Sequence, residues 1–291
     1  MFGLLILCLL AGFWITRPQH ADPADFVGLV PDAANGALVF AAMGCGSCHM
    51  DPDTPIPGEL PGGQRFKSDF GTFIAPNISP DANTGIGGWS NLDIASAVLF
   101  GTSPDGAHYY PALPYASYGR ADAQDIADLI AHLRTLPAVS RQNTPHEVGF
   151  PFNIRTSLGG WKLLFSSNDW QVQGDLTAPE TRGRYLVEAL GHCAECHTPR
   201  NMLGGLNRDQ WLQGAANPSG EGRIPGITAS QLDWSDGEVV AFLTSGFTPD
   251  FDTVGGSMVE VVENLAMLPR ADVEAIVAYL RKVPGPSQDD R

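Results

Sequence analysis

The segment GALVFAAMGCGSCH at residues 36–49 is written a second time as GRYLVEALGHCAECH at residues 183–197. Gly36 corresponds to Gly183, an offset of 147 residues, and Gly44 to Gly191. One inserted residue, His192, then sets His49 against His197. The units end alike as well: DIADLIAHLRTLP (125–137) matches DVEAIVAYLRKVP (272–284). Between these ends, Trp89-Ser90 precedes LDIASAVLFG and Trp234-Ser235 precedes DGEVVAFLTSG. A chain repeated in this way folds as two like units, each on the scale of an ordinary domain.

The pattern within each unit predicts helices. Ile126, Leu129, Ile130, Leu133 and Leu136 recur at helical spacing, as do Val273, Ile276, Val277, Leu280 and Val283. Each set makes one apolar face, and Pro137 and Pro284 stop the helices. Ser90 with Asp93, and Ser235 with Glu238, have capping-box spacing. Gly101 and Gly246 suit helix C-termini. No strand-rich run competes. The expected fold is mostly α, with an opening helix running into CxxCH, long loops, a middle helix and a closing helix in each unit. The units are expected over residues 33–138 and 181–285. The connector, 139–180, contains FPFNIR and WKLLF, too apolar for a free linker, and is expected to pack across the boundary.

CxxCH has a mechanical logic. Two thiols on one helical turn add to the two vinyl groups of a haem, and the adjacent His lies under the iron. Cys45, Cys48 and His49 form one such set, and Cys193, Cys196 and His197 the other. The expected cofactors are therefore two covalently bound haem c. A thioredoxin-like CxxC should open a helix after a strand, whereas this motif is expected to end a helix. A zinc site needs two further ligands that neither unit supplies at suitable spacing.

The second axial position separates the units. Met258, in GGSMVEVV, lies 61 residues after His197. It is the expected ligand of haem 2, since Met202 is too close to the motif and Met267 reads equally well as core. The approximate counterpart in the first unit is Leu113, 64 residues after His49, and Leu does not bind iron. Met43 and Met50 flank the motif on its proximal side. His108 is the nearest donor by sequence, and His146 lies further on; each reads equally as a surface or propionate-side histidine. Haem 1 is thus five-coordinate, His-ligated from a nearby loop, or ligated otherwise. Asn77, Trp89, Trp234, Tyr110 and Tyr115 line haem edges or pack ordinarily.

The chain carries 32 acidic residues against 17 basic, a net charge of −15. That excludes nucleic acid as a partner, because phosphate neutralisation needs Lys and Arg. It favours a basic protein surface. At the N-terminus, Phe2 to Thr16 is uncharged and mostly apolar. This run suits a signal-peptide core and is short for a spanning helix, which needs about 20 residues. Cleavage after Ala21 would place the large Gln19 where a small residue belongs. Residues 1–20 are therefore either an uncleaved hydrophobic anchor helix or a cleaved signal, and both imply export. Cys8 reads as apolar filler in this run.

Several runs carry a family resemblance: APNISPDANTGIGGWS (75–90), PDGAHYYPALPYASY (104–118), FPFNIR, WKLLF, RGRYLVEALGHCAECHTPRNMLGG (182–205) and VGGSMVEVV (254–262). With the doubled CxxCH they resemble the cytochrome c subunits of bacterial membrane-associated alcohol and gluconate dehydrogenases, over nearly the whole chain after about residue 35. The resemblance implies two tandem class I-like cytochrome c domains. It also implies electron transfer in the periplasm between a dehydrogenase or quinol donor and a respiratory acceptor, an oxidase or a basic cytochrome. It supports Cys45, Cys48 and His49 as one haem site, and Cys193, Cys196, His197 and Met258 as the other. Those subunits usually carry three haems, and Leu113 replaces the methionine expected at the first. No nucleophile–base pair points to activity of the chain alone. The alternative is a haem enzyme, or a peroxide- or gas-binding protein, with an open distal position on haem 1.

Overall fold

The computed structural model describes residues 12, 14–217 and 222–286. In the first unit α1 spans Ala33–Ala42, α2 Cys45–His49, α3 Asn91–Phe100, α4 Tyr115–Tyr118 and α5 Ala123–Leu133. In the connector α6 spans Ser157–Phe165. In the second unit α7 spans Ala178–Tyr185, α8 Ala194–His197, α9 Asp236–Ser245, α10 Met258–Leu265 and α11 Arg270–Leu280. A π-helical turn, Leu186–Leu190, continues α7.

In each unit the opening helix packs on the closing helix, α1 on α5 and α7 on α11. Glycine allows the close crossing. A Cβ on Gly36 would stand 2.0 Å from the Asp128 carbonyl oxygen, and one on Gly183 would stand 1.9 Å from that of Ala275. Asp128 and Ala275 are also 147 residues apart, so the repeat extends to the helix contact itself. Gly36→Val forces the helices apart. We expect a loss of about 3 kcal/mol, the upper end of ordinary overpacking, read as a lower denaturant midpoint.

The periodic residues fill the core: Ile126, Leu129, Ile130 and Leu133 are buried, as are Val273, Ile276, Val277, Leu280 and Val283. Both capping boxes form, Ser90 with Asp93 and Ser235 with Glu238. Gly101 and Gly246 close α3 and α9 with positive φ. Arg134 donates to the carbonyls of Ile86, Gly87 and Trp89. Its counterpart Arg281 does the same for Leu232 and Trp234. Each closing helix thereby holds the loop that enters its middle helix.

Three expectations need correction. CxxCH does not end the opening helix. Gly44 takes a left-handed conformation (φ 63°) after α1, so the first motif forms its own short helix. In the second unit His192 (φ 40°) makes the corresponding break. Short strands also occur. β1 (Arg65–Ser68) pairs antiparallel with β2 (Gly71–Ile74), and β3 (Ala215–Ala216) with β4 (Arg223–Ile224). The first hairpin is fastened by the connector: Thr72 bridges Glu147, and the Ile74 N–H donates to His146 Nδ1 (3.0 Å). Met267, finally, is 56% exposed rather than core.

The connector packs as expected. Lys162 Nζ donates to the Phe100 and Gly101 carbonyls (2.5 and 2.8 Å). The Gln171 N–H donates to the buried Glu188 carboxylate (2.7 Å). The expected N-terminal hydrophobic helix lies mostly outside the described residues. Among the described residues no helix is long and apolar enough to cross a membrane.

Candidate functional site

Each motif is held by the same set of loop contacts. The His49 carbonyl accepts from the Gly62 N–H (2.7 Å), and that of His197 from the Gly214 N–H (2.8 Å). Leu60 and Leu212, both fully buried, accept from the Ile78 and Ile227 N–H groups (3.0 and 2.8 Å). The loop after each CxxCH therefore returns beneath it. There His49 Nδ1 lies 2.8 Å from the Pro76 carbonyl oxygen, and His197 Nδ1 lies 2.7 Å from that of Pro225. A carbonyl only accepts, so each Nδ1 carries the proton and each Nε2 keeps its lone pair. This is how a metal-binding imidazole is oriented and made more basic. Burial lowers the pKa of both histidines, which keeps the imidazoles neutral, the form that ligates a metal.

The thiols differ from redox-active ones. Burial pushes Cys45 and Cys193 up to about 12 and Cys48 to about 11, and Cys196 is raised for the same reason. A reactive CxxC needs an electropositive setting that lowers the pKa. A metal ion alone fits poorly, since among the described residues no three His, Cys, Asp or Glu side chains gather to hold one. Two thiols beside an imidazole with a free Nε2 fit a covalently attached haem. Buried polar atoms without a protein partner also occur in both units. Among them are Thr102 Oγ1, His108 Nδ1 and Tyr115 OH in the first and Arg184 Nε in the second. Each costs about 1–3 kcal/mol if left unmet, and a haem carboxylate would satisfy a hydroxyl such as that of Tyr115.

Met258 opens α10 and is partly buried against the core. Leu113 is likewise partly buried against the core, in the turn before α4. Met202 is 95% exposed. Met43 is buried, and Met50 folds back against Gly46. His108 is buried, and its Nε2 donates to the Thr16 carbonyl (3.0 Å). Nδ1 is then its one nitrogen with a free lone pair. Asn77 spends its side chain on Val139, Arg141, Thr84 and Ser79, inside the loop and connector. Tyr110 OH donates to the Phe152 carbonyl (3.2 Å).

The structure brings the two motifs together, which the sequence did not indicate. Met43, two residues before Cys45, offers its carbonyl to Tyr118 OH (2.8 Å) and to His192 Nε2 (3.3 Å). The Tyr118 and His192 rings meet edge to face, 5.6 Å between centroids. Asn264 Nδ2 of α10 donates to Ser47 Oγ inside the first motif (2.8 Å). Tyr118, His192 and Asn264 are thus interface residues. Of these, only His192 had a signal in the sequence: it is the one residue that interrupts the repeat.

Comparison with known proteins agrees with this geometry. The cytochrome c family matches residues 33–137. A dihaem c-type cytochrome of Cereibacter sphaeroides is 53% identical over 286 residues, covering 97% of this chain and 96% of that protein. The fructose dehydrogenase cytochrome subunit of Gluconobacter japonicus is 36% identical over 289 residues, 96% of this chain and 58% of that one. The cytochrome c subunit of the quinone-linked alcohol dehydrogenase of Gluconobacter oxydans is 32% identical over 289 residues, 91% of this chain and 56% of that one. The chain belongs to the dihaem c-type cytochromes. It spans under three fifths of each of these two dehydrogenase subunits.

Proposed function

We propose that this protein is a periplasmic electron-transfer subunit that takes electrons from a dehydrogenase and passes them to a respiratory acceptor. The observation that carries the reading is the contact between two matching CxxCH motifs, each with its histidine fixed on a proline carbonyl. Cys45, Cys48 and His49 would hold one haem, and Cys193, Cys196, His197 and Met258 would hold the other. Bound in this way, the haems supply one-electron Fe(III)/Fe(II) exchange. The chain fixes Nδ1 of His49 and His197 on the Pro76 and Pro225 carbonyls, leaving each Nε2 for the metal, and keeps both attachment sites at one interface between the domains at 33–138 and 181–285. Tyr115 would offer its hydroxyl to a haem carboxylate. The dehydrogenase cytochrome subunits among the relatives support the donor, and the export-type N-terminus supports the periplasm. Residues 2–16 serve as an inner-membrane anchor or leave as a signal.

The surface charge supports a basic partner, an oxidase domain or a basic cytochrome. The second-order rate of reduction of a basic cytochrome should fall at least about tenfold from low to high ionic strength. A rate indifferent to salt would exclude electrostatic docking.

A second reading rests on Leu113. Haem 1 then has an open sixth position, or His108 reaches it through Nδ1, and an open position would admit a diatomic gas or peroxide. Carbon monoxide added to the reduced protein separates these outcomes. Uptake of one molecule per chain supports the open site, and fully low-spin, unreactive haem removes it.

A further inference from the structure

The strongest unexplained surface lies on the connector and the turn after the second motif. Phe150, Leu163, Leu164, Met202 and Leu203 are 82%, 63%, 68%, 95% and 59% exposed. They belong to one continuous face. The Trp161 indole N–H donates to the Leu203 carbonyl (2.9 Å). Phe70 sits over Gly204 and meets the Phe152 ring edge-on, 5.0 Å between centroids. The N-terminal segment reaches the same face. The Thr16 carbonyl lies against Gly159, where a Cβ would stand only 2.2 Å from its oxygen. Just before it, Trp14 is 64% exposed under the Arg17 guanidinium (4.9 Å to the ring centroid).

The charge on this face is unlike that of the rest of the molecule. Residues 14–21, 148–168 and 199–208 contain Arg17, Arg155, Lys162, Arg200 and Arg208 and no Asp or Glu. The whole chain has 32 acidic residues against 17 basic. A basic redox partner gains nothing from such a face. Its carboxylates lie at the rim, Asp69 beside Phe70 and Glu195 paired with Arg200, and exposed aliphatic and aromatic side chains bordered by Arg17 and Arg155 match a bilayer interface. The uncharged run Phe2–Thr16 leads directly into it.

We propose that this face rests on the lipid surface, with Leu164, Met202 and Phe150 entering the interfacial layer. That orientation turns the acidic remainder of the surface towards soluble partners. The proposal rests on the reading of residues 2–16 as a retained anchor, and the experiment separates the two. Full-length holoprotein on a Cys8→Ser background is reconstituted into vesicles of phosphatidylcholine and phosphatidylglycerol. A nitroxide is attached to Leu164→Cys, to Met202→Cys or, as control, to Glu274→Cys on α11, the haems are left oxidised, and each accessibility is taken relative to the same sample under nitrogen. Oxygen should reach the labels at 164 and 202 several-fold better than an aqueous nickel chelate, with the reverse at 274. Nickel-accessible labels on vesicle-bound protein would overturn the lipid face and leave the anchor standing. Labels shielded from both reagents would overturn it in favour of a protein contact. Protein that fails to sediment with the vesicles would overturn anchor and face together.

Discussion

Met258→Ala is expected to abolish the far-red methionine–iron charge-transfer band and to lower the midpoint potential of one haem, leaving the other unchanged. A thioether opposite histidine raises the potential of a c-type haem. Axial ligation governs a range of roughly 0.8 V, so a fall on the order of a few tenths of a volt should follow. Met258 stands at the start of α10, partly buried against the core. Replacing it would remove the proposed ligand without disturbing the Pro225 contact that holds His197. A spectroelectrochemical titration gives both readouts from one sample. Persistence of the band would assign the ligand elsewhere. The complementary change, Leu113→Met, should create a second band and raise the potential of haem 1.

A larger effect is expected from Cys45→Ala combined with Cys48→Ala. That protein should retain one haem, and the pyridine haemochrome absorbance per chain should halve. The first unit should also lose stability, because its haem would form part of the core beside Met43 and Leu60, both already buried. The remaining haem should keep the Met258 band. Electron delivery to an acceptor should drop sharply if the two motifs act in series across the Met43–His192 contact. Unchanged delivery would show that the second haem works alone.

These expectations depend on features of unequal visibility in the sequence. The closing helices and both capping boxes could be read directly, because they are local: an apolar stripe at helical spacing and a Ser three residues before an acid determine them within a dozen residues. The Gly36–Asp128 and Gly183–Ala275 crossings were half visible, as glycines kept at equal offsets without a reason. The Arg65–Ile74 hairpin was missed because its partner is distant. Glu147 and His146, in the connector, complete its hydrogen bonds. The separate helical turn of each motif was missed for a different reason: the left-handed residues Gly44 and His192 sit inside runs that otherwise continue a helix.

The site divides in the same way. The thiols and proximal histidines are contiguous in the chain and could be named outright. Pro76 and Pro225, which set the imidazole tautomers, come from loops 27 and 28 residues on, with no motif to mark them. The contacts between units, Asn264 with Ser47 and His192 with Met43, span 217 and 149 residues. No local pattern announces such pairs. The inserted His192 marks the place, and its role as a bridge appears only in the fold.

The most direct test of the account is the intact mass of the chain purified from a host that exports and matures c-type cytochromes. The account predicts the polypeptide plus two haems, and the polypeptide plus one haem for the Cys45→Ala/Cys48→Ala protein. A mature chain carrying no haem, or one haem in the unaltered protein, would contradict it.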